Sequence, residues 1–266
     1  MAINDFVLLT SLSGLTILSL IFFKKIYRET FLNQQIQIIP IEIGRRFLQF
    51  DLDGYVQQFS SEDLVARKAD TTQEYLKKSA ADVLLITDTQ KATLIRAVDA
   101  AGKYFETYRN YYIDPVPFQN LPWKFIMTAG YYENGLPHTR ADYIFITPDV
   151  FRQSEDALVR LLIHEKVHIY QRTYKELVQE KLKARNYQVY RLRKGYPLIR
   201  ANPDLDENIY LDPTNNVMVQ TYASMTPKNI SDVKGSYMEH PYEEMAYAIA
   251  NSYGAKWYKH NFFLFV

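Results

Sequence analysis

Residues 164–168 read HEKVH, within a stretch whose composition predicts a regular helix. Neither proline nor glycine occurs between residues 153 and 187, Ser154 is a suitable N-cap, and the first turn is acidic. Leucines at positions 158, 161 and 162 recur at helical spacing. His164 and His168 are therefore expected one turn apart on the same helix face, held by a rigid element.

Two imidazoles in this arrangement can bind one metal ion together. Glu165, next to the first histidine, is then able to take a proton from a water that the metal activates. The competing interpretation is a histidine pair that is exposed to solvent or hydrogen-bonded in the core. Three specified residues in so regular a helix favour zinc, with His164 and His168 as ligands and Glu165 as the catalytic base.

The overall composition narrows the class of protein. With 266 residues the chain has room for one substantial domain or two small ones. A net charge of +1 gives no global field that would attract nucleic acid, so nucleic acid is not expected as a partner. Cysteine is absent, which excludes disulfides, thiolate zinc sites and cysteine nucleophiles. Any zinc must be held by histidine and carboxylate.

The N-terminus carries a second signal, an 18-residue stretch without a charge at positions 6–23. As a helix it would be about 27 Å long, close to the thickness of the hydrocarbon core of a bilayer. Lys24, Lys25 and Arg28 follow it, which predicts a single-pass anchor with the C-terminal bulk on the cytoplasmic side. A cleaved signal peptide is disfavoured, because no basic residue precedes the stretch and no small-x-small site follows. A buried core helix is the remaining alternative.

Hydrophobic spacing and turn signals outline the rest of the chain. Asn134-Gly135 marks a turn. One or two short strands are expected in residues 35–50, helices in 61–78 and 89–109, an irregular proline-rich connector in 110–122, and strands in 123–128 and 142–147.

The strand at 142–147 leads through Pro148 directly into the HEKVH helix. An edge strand beside a metal-binding helix can accept an extended substrate by backbone pairing. An ordinary strand-to-helix connection fits the sequence equally well. His138 precedes this strand, either lining the cleft or lying in a surface turn, and the surface turn is slightly favoured.

A basic stretch follows the HEKVH helix. Residues 172–200 contain nine Lys or Arg residues against two Glu. A solvated helical face and loop is the simpler interpretation, and contact with anionic lipid headgroups or with nucleic acid is the alternative. The stretch contains no recognisable nucleic-acid motif.

A catalytic zinc site usually has three protein ligands, so one remains to be found. A third histidine six residues after His168 is excluded, because that position is Tyr174. Near the C-terminus, Pro241 is well placed to begin a helix whose first turn contains Glu243 and Glu244. Either glutamate could complete the site.

The pairing of HExxH on one helix with Glu-x-x-Ala on a downstream helix resembles the gluzincin type of zinc metallopeptidase. Aligned on that pattern, Glu243 takes the ligand position because Ala246 lies three residues on, and Glu244 is the fallback. Tyr247 stands where several such families have an acidic residue that orders a ligand histidine. Together with PHTR at 137–140 and RANPD at 200–204, the pattern is similar to membrane metallopeptidases of large DNA viruses. The resemblance covers roughly residues 137–254.

The resemblance implies an α+β fold with a zincin-like domain, in which a small sheet packs on the HExxH helix and a downstream glutamate helix. Residues 1–30 would form the N-terminal transmembrane anchor with its basic juxtamembrane segment. Residues 31–266 would form the metallopeptidase domain, mostly helical in 31–120 and catalytic in 121–266.

The same resemblance implies a membrane-anchored peptidase that hydrolyses polypeptide substrates, with Zn²⁺ held by His164, His168 and Glu243. The oxyanion that forms in such a reaction needs a further donor. His240 is the first candidate by its closeness in sequence to Glu243, ahead of the tyrosines at 237 and 242. A non-catalytic zinc protein, or a membrane-anchored structural or assembly protein, is the alternative.

Overall fold

The computed structural model describes residues 36–108, 112–235 and 238–254. The N-terminal segment 1–30 that is predicted to anchor the chain lies outside these residues, as does Tyr237. The described residues combine α-helices with small sheets, so the predicted α+β class is confirmed. Among them, no helix has both the length and the hydropathy needed to cross a bilayer.

The main sheet has the strand order β1-β3-β5-β4, with β2 paired to the far end of β3. Strands β1, β3 and β5 run parallel, whereas β4 is antiparallel to β5 and β2 is antiparallel to β3. These strands are β1 (Ile36–Ile38), β2 (Val83–Leu84), β3 (Trp123–Thr128), β4 (His138–Arg140) and β5 (Tyr143–Ile146).

Eight α-helices occur in the described ranges. They are α1 (Ile41–Gln49), α2 (Ser61–Ala66), α3 (Thr72–Ala81), α4 (Asp88–Thr107), α5 (Pro115–Asn120), α6 (Glu155–Thr173), α7 (Lys175–Ala184) and α8 (Pro241–Asn251). Short 3₁₀ turns span Tyr55–Gln58, Tyr132–Gly135 and Pro148–Arg152.

Helix α6 contains the HEKVH sequence and is the central helix of the fold. Ser154 caps it by accepting a hydrogen bond from the backbone N–H of Ala157 at 3.3 Å, as the sequence predicts. It packs against α8, α4 and the main sheet, and its Leu162, Ile163 and Val167 side chains are fully buried. Burial on several sides at once fixes the helix and therefore the direction of its histidines.

Two antiparallel sheets follow α7. One contains β6 (Gln188–Leu192), β7 (Asn208–Leu211) and β8 (Val217–Met218), and the other contains β9 (Gln220–Tyr222) and β10 (Val233–Gly235). The long connection between β6 and β7 crosses back towards α6. Its RANPD segment, residues 200–204, is called the strap below.

Three predictions of local structure are wrong in part. Residues 41–49 form helix α1 instead of a strand, because Gly44, Phe47 and Leu48 are buried at helical spacing. The helical pattern at 61–78 divides into α2 and α3, because the backbone of Lys68 is left-handed, with φ of 57°, and ends the first helix. The proline-rich connector contains the short helix α5, which Asp114 caps.

The N-terminal helices are joined to the rest of the fold by a buried ion pair. Arg67 donates to both carboxylate oxygens of Glu133, at 2.8 Å and 2.6 Å, and both side chains are 2 % exposed. The hydroxyl of Tyr75 also donates to Glu133, while Asp63 lies 3.4 Å from the guanidinium. This network anchors the turn that precedes β4.

Candidate metal centre

His164, His168 and Glu243 converge on one point between α6 and α8. The Nε2 atoms of the two histidines are 3.0 Å apart, and Oε2 of Glu243 lies 3.3 Å from His164 and 3.9 Å from His168. A tetrahedral ion with bonds of about 2.0–2.2 Å would separate its ligands by roughly 3.3–3.6 Å. The three residues can therefore hold one metal ion.

The electrostatic state of these ligands suits a cation. Burial lowers the pKa of His168 to about 3, so this imidazole is neutral and has a free lone pair at neutral pH. Burial by itself would raise the pKa of Glu243, but the adjacent histidines more than offset it and hold the pKa at about 2. The centre thus offers neutral nitrogen and an anionic oxygen, the ligand forms that a divalent metal requires.

Gln171 sets the tautomer of His168. Its amide nitrogen donates to the carbonyl of Tyr242 at 2.9 Å, which leaves its oxygen as the acceptor 2.9 Å from Nδ1 of His168. The proton of His168 must then reside on Nδ1, and Nε2 faces the metal point. The same amide links α6 to the first turn of α8, where Glu243 lies.

Tyr247 occupies the position in which a related site would carry an acidic residue. Its ring lies 4.4 Å from that of His164 between centroids, tilted by 59°. It thus restricts the His164 ring by packing. Gln171 supplies a hydrogen bond to the other ligand histidine, His168.

Glu165 lies in the same cavity as the three ligands. It is 4 % exposed, and within the described part of the chain its Oε2 atom has no hydrogen-bond partner. Burial, followed by the negative charges of Asp204 and Glu243, raises its pKa well above the usual range. A carboxyl group of this kind is suited to accept and hold a proton.

The cavity has a volume of about 530 Å³, within the range of small-molecule sites. Apolar side chains from several segments contribute to its walls, among them Leu136, Leu161, Ile230 and Val233. The polar side of the cavity is formed by α6, by the start of α8 and by the strap.

The strap covers the edge of the main sheet. Asp204 accepts the backbone N–H of Thr139 in β4 at 2.6 Å, and Arg172 donates to the carbonyls of Ala141 and Pro203. The strand at 143–146 is interior, because β4 pairs along its outer side. The structure therefore favours the ordinary strand-to-helix connection over substrate pairing along this strand.

His138 is buried within β4, so the slightly favoured surface turn is wrong. Its ring stacks on Phe145 with 5.0 Å between centroids, and its Nδ1 donates to the carbonyl of Leu136 at 2.8 Å. Burial lowers its pKa, and among the described residues its Nε2 atom has no partner. His138 thus contributes a buried, neutral ring to the cavity wall.

His240, the first candidate for the oxyanion donor, does not line this cavity. Its Nδ1 accepts the backbone N–H of Tyr242 at 3.1 Å, and its Nε2 lies 3.2 Å from Asp206. Both ring nitrogens are engaged, so His240 serves as the N-cap of α8 and fixes the turn that carries Glu243. Tyr242 is likewise outside the cavity, its hydroxyl bonded to Gln179 and Asp206.

Glu244, the fallback ligand, interacts with the hydroxyl of Tyr187 and is not part of the metal-binding group. The choice between adjacent glutamates is thus decided by the direction in which α8 presents them. Only Glu243 faces α6.

The basic stretch is less exposed than its composition suggests. Arg172 bonds within the cavity wall, Arg193 pairs with Asp63 and Glu207, and Arg200 pairs with Glu239. At least these three of its nine basic residues therefore have partners within the fold. Contact with anionic lipid through the remaining ones stays a prediction.

No family model, no curated protein and no solved structure matches this chain. The resemblance to gluzincins therefore stays a prediction, and the functional argument depends on the geometry of the site.

Sequence reasoning missed Gln171, Asn202 and Asp204. Gln171 could have been found, because a residue three positions after His168 lies on the same helix face. Asn202 and Asp204 belong to the strap, and nothing in a single sequence indicates that this loop reaches the metal centre.

Proposed function

We propose that this protein is a zinc-dependent peptidase with a zincin-like arrangement of its two metal-binding helices. The observation that carries the proposal is Glu165, which lines the same cavity as the His164–His168–Glu243 group and whose buried Oε2 has no hydrogen-bond partner in the described part of the chain. A protein that only stores a metal ion has no need of this carboxylate. Zinc is the metal favoured by two histidines and one carboxylate.

When bound, a zinc ion would lower the pKa of a water molecule towards ~7 and polarise a substrate carbonyl. Glu165 accepts the proton of the attacking water and passes it to the leaving amine. His164, His168 and Glu243 hold the ion, while Gln171 keeps the Nε2 lone pair of His168 directed at it. The buried position of Glu165 limits competing hydrogen bonds from solvent.

The substrate proposed is a polypeptide, bound chiefly through groups inside the cavity. His138 offers a fixed acceptor for an N–H of the substrate, because its own proton is committed to Leu136. Apolar walls supply the remaining contact area. Pairing along β4 plays a minor part, since Asp204 already occupies the N–H of Thr139.

Attachment to a membrane is the second part of the proposal. It is based on the uncharged stretch at 6–23 and the basic residues that follow it. A domain held in this way would act on substrates close to the cytoplasmic face of its membrane.

The test begins with zinc content. Full-length protein in detergent micelles should bind one zinc ion per chain. Glu243→Ala should bind zinc far more weakly, while Glu244→Ala should bind it as the wild type does. A wild-type chain that binds no zinc when the metal is supplied would overturn the proposal.

Cleavage is then measured with a diverse set of internally quenched peptides. Glu165→Gln should retain zinc but cleave at least about 100-fold more slowly, because the proton acceptor is gone. Stoichiometric zinc without cleavage by the wild type would instead identify a non-catalytic zinc protein. Absence of zinc would favour the membrane-anchored assembly protein.

A further inference from the structure

Glu243 presents its two carboxylate oxygens to different partners. Oε2 faces the histidines, while Oε1 accepts a hydrogen bond from the side-chain nitrogen of Asn202 at 3.3 Å. Asn202 belongs to the strap, which is 41 residues away in sequence. The proposed metal ligand is thus oriented by a loop that contains no ligand itself.

The orientation of the Asn202 amide is determined by its surroundings. Its oxygen accepts the backbone N–H of Asp204 at 3.0 Å, and its nitrogen donates to Glu239 at 2.9 Å as well as to Glu243. A reversed amide would place its oxygen against two carboxylates. The nitrogen therefore faces the acidic pair.

The strap is anchored on both sides of Asn202. Arg200 pairs with Glu239 and donates to the carbonyl of Ile230 at 3.2 Å. Ala201 donates its N–H to Asp63 at 2.9 Å and accepts from Arg67 at 3.0 Å. Asp63 and Arg67 are both buried, so the residue that precedes Asn202 is bonded to core side chains.

This contact has two physical consequences for Glu243. The terminal torsion of a glutamate is broad, so a donor on one oxygen restricts where the other oxygen points. The shared amide also reduces repulsion between Glu239 and Glu243, because its nitrogen donates to both carboxylates. Both effects prepare the carboxylate before a metal arrives.

We propose that Asn202 is a positioning residue for the metal centre, acting through Glu243. The inference depends on the proposed metal site and goes beyond it by assigning part of the metal affinity to the strap. Partners that orient a ligand in this way typically contribute 10–100-fold to metal affinity.

The experiment is a double-mutant cycle on the full-length chain, with zinc affinity measured by competition against a fluorescent chelator. Asn202→Ala should weaken zinc binding about 10–100-fold. In the Glu243→Ala background the same substitution should change the residual affinity by less than about twofold, because the group through which it acts is gone. Asn120→Ala, an exposed asparagine at the end of α5, is the matched control and should leave affinity unchanged.

Each outcome decides the point. An equal loss of zinc affinity in both backgrounds would mean that Asn202 only supports the fold. An unchanged affinity in Asn202→Ala would mean that its contact with Glu243 does not matter. Either result overturns this inference but leaves the proposed function standing. Zinc bound by none of the variants, wild type included, overturns the proposed function as well. If Asn202→Ala does not fold, Asn202→Ser provides the same comparison, because its hydroxyl can still accept the N–H of Asp204.

Discussion

Replacing Glu133 by glutamine should cost this protein a large part of its stability. The substitution keeps the shape of the side chain but removes its charge, and it leaves the Arg67 guanidinium buried with a weaker partner. Breaking a buried ion pair in this way costs about 3–5 kcal/mol. Asp63 lies 3.4 Å from the same guanidinium and compensates in part, so we expect the lower end, about 3 kcal/mol. For a chain of this size, that lowers the Tm by roughly 6–12 °C.

The assay is urea unfolding followed by circular dichroism, with the free energy of unfolding obtained by linear extrapolation. Glu42→Gln is the matched control, because Glu42 forms the same kind of pair with Arg45 but is 82 % exposed. Loss of that surface pair should change the free energy by less than about 1 kcal/mol. If the free energy of unfolding falls by a similar amount in the two variants, the reasoning is refuted. Burial of the Arg67–Glu133 pair would then not explain the cost of breaking it.

Three further predictions concern the centre and its supports. Gln171→Leu should weaken zinc binding about 10–100-fold, because His168 loses the acceptor that fixes its tautomer; unchanged affinity in a chelator competition would contradict this. His138→Phe keeps the stacking on Phe145 but removes the acceptor, so it should raise KM for peptide cleavage while zinc content is unchanged; an altered zinc content would show that His138 serves the metal instead. Asp206→Asn should destabilise the fold by about 2 kcal/mol at pH 7, because burial would raise the pKa of Asp206 but the hydrogen bonds from His240 and Asn208 lower it to about 2. Since the folded pKa is the lower one, this contribution is complete above about pH 4 and is lost towards pH 2; urea midpoints whose difference grows on acidification would contradict the assignment.

The sequence alone predicts the elements that carry a strong local pattern. HEKVH lies mid-helix because Ser154 and the leucine spacing specify that helix, and strand 123–128 has the predicted bounds. Residues 41–49 were misjudged because Pro40 and several isoleucines resemble a strand, while the helical burial of Gly44 is decided only by its partners in the sheet. Local propensity is overridden where tertiary packing determines which face is buried.

The residues of the candidate site also fall into two groups: those that a local pattern predicts and those whose position depends on tertiary packing. His164 and His168 follow from helix periodicity, whereas the choice of Glu243 over Glu244 depends on how α8 is rotated against α6. Closeness in sequence to Glu243 made His240 a candidate donor, but it says nothing about direction: at the N-cap its ring bonds back onto its own helix. Asn202 reaches the centre only through long-range contacts, which a single sequence does not reveal.

The arrangement of charge around the cavity supports a cation more strongly than the histidines do alone. Glu165, Asp204 and Glu243 all line one cavity, and burying carboxyl groups together is unfavourable unless positive charge compensates them. Arg160 and Arg200 also line this space, but Arg200 pairs with Glu239. Arg172, behind the wall, directs its hydrogen bonds at the strap and at the turn after β4. A core that only accommodated two histidines would have no reason to collect three carboxyl groups beside them. A divalent ion at the point shared by His164, His168 and Glu243 would offset that repulsion. It would leave Glu165 as the carboxylate whose Oε2 has no partner among the described residues and is available for proton transfer.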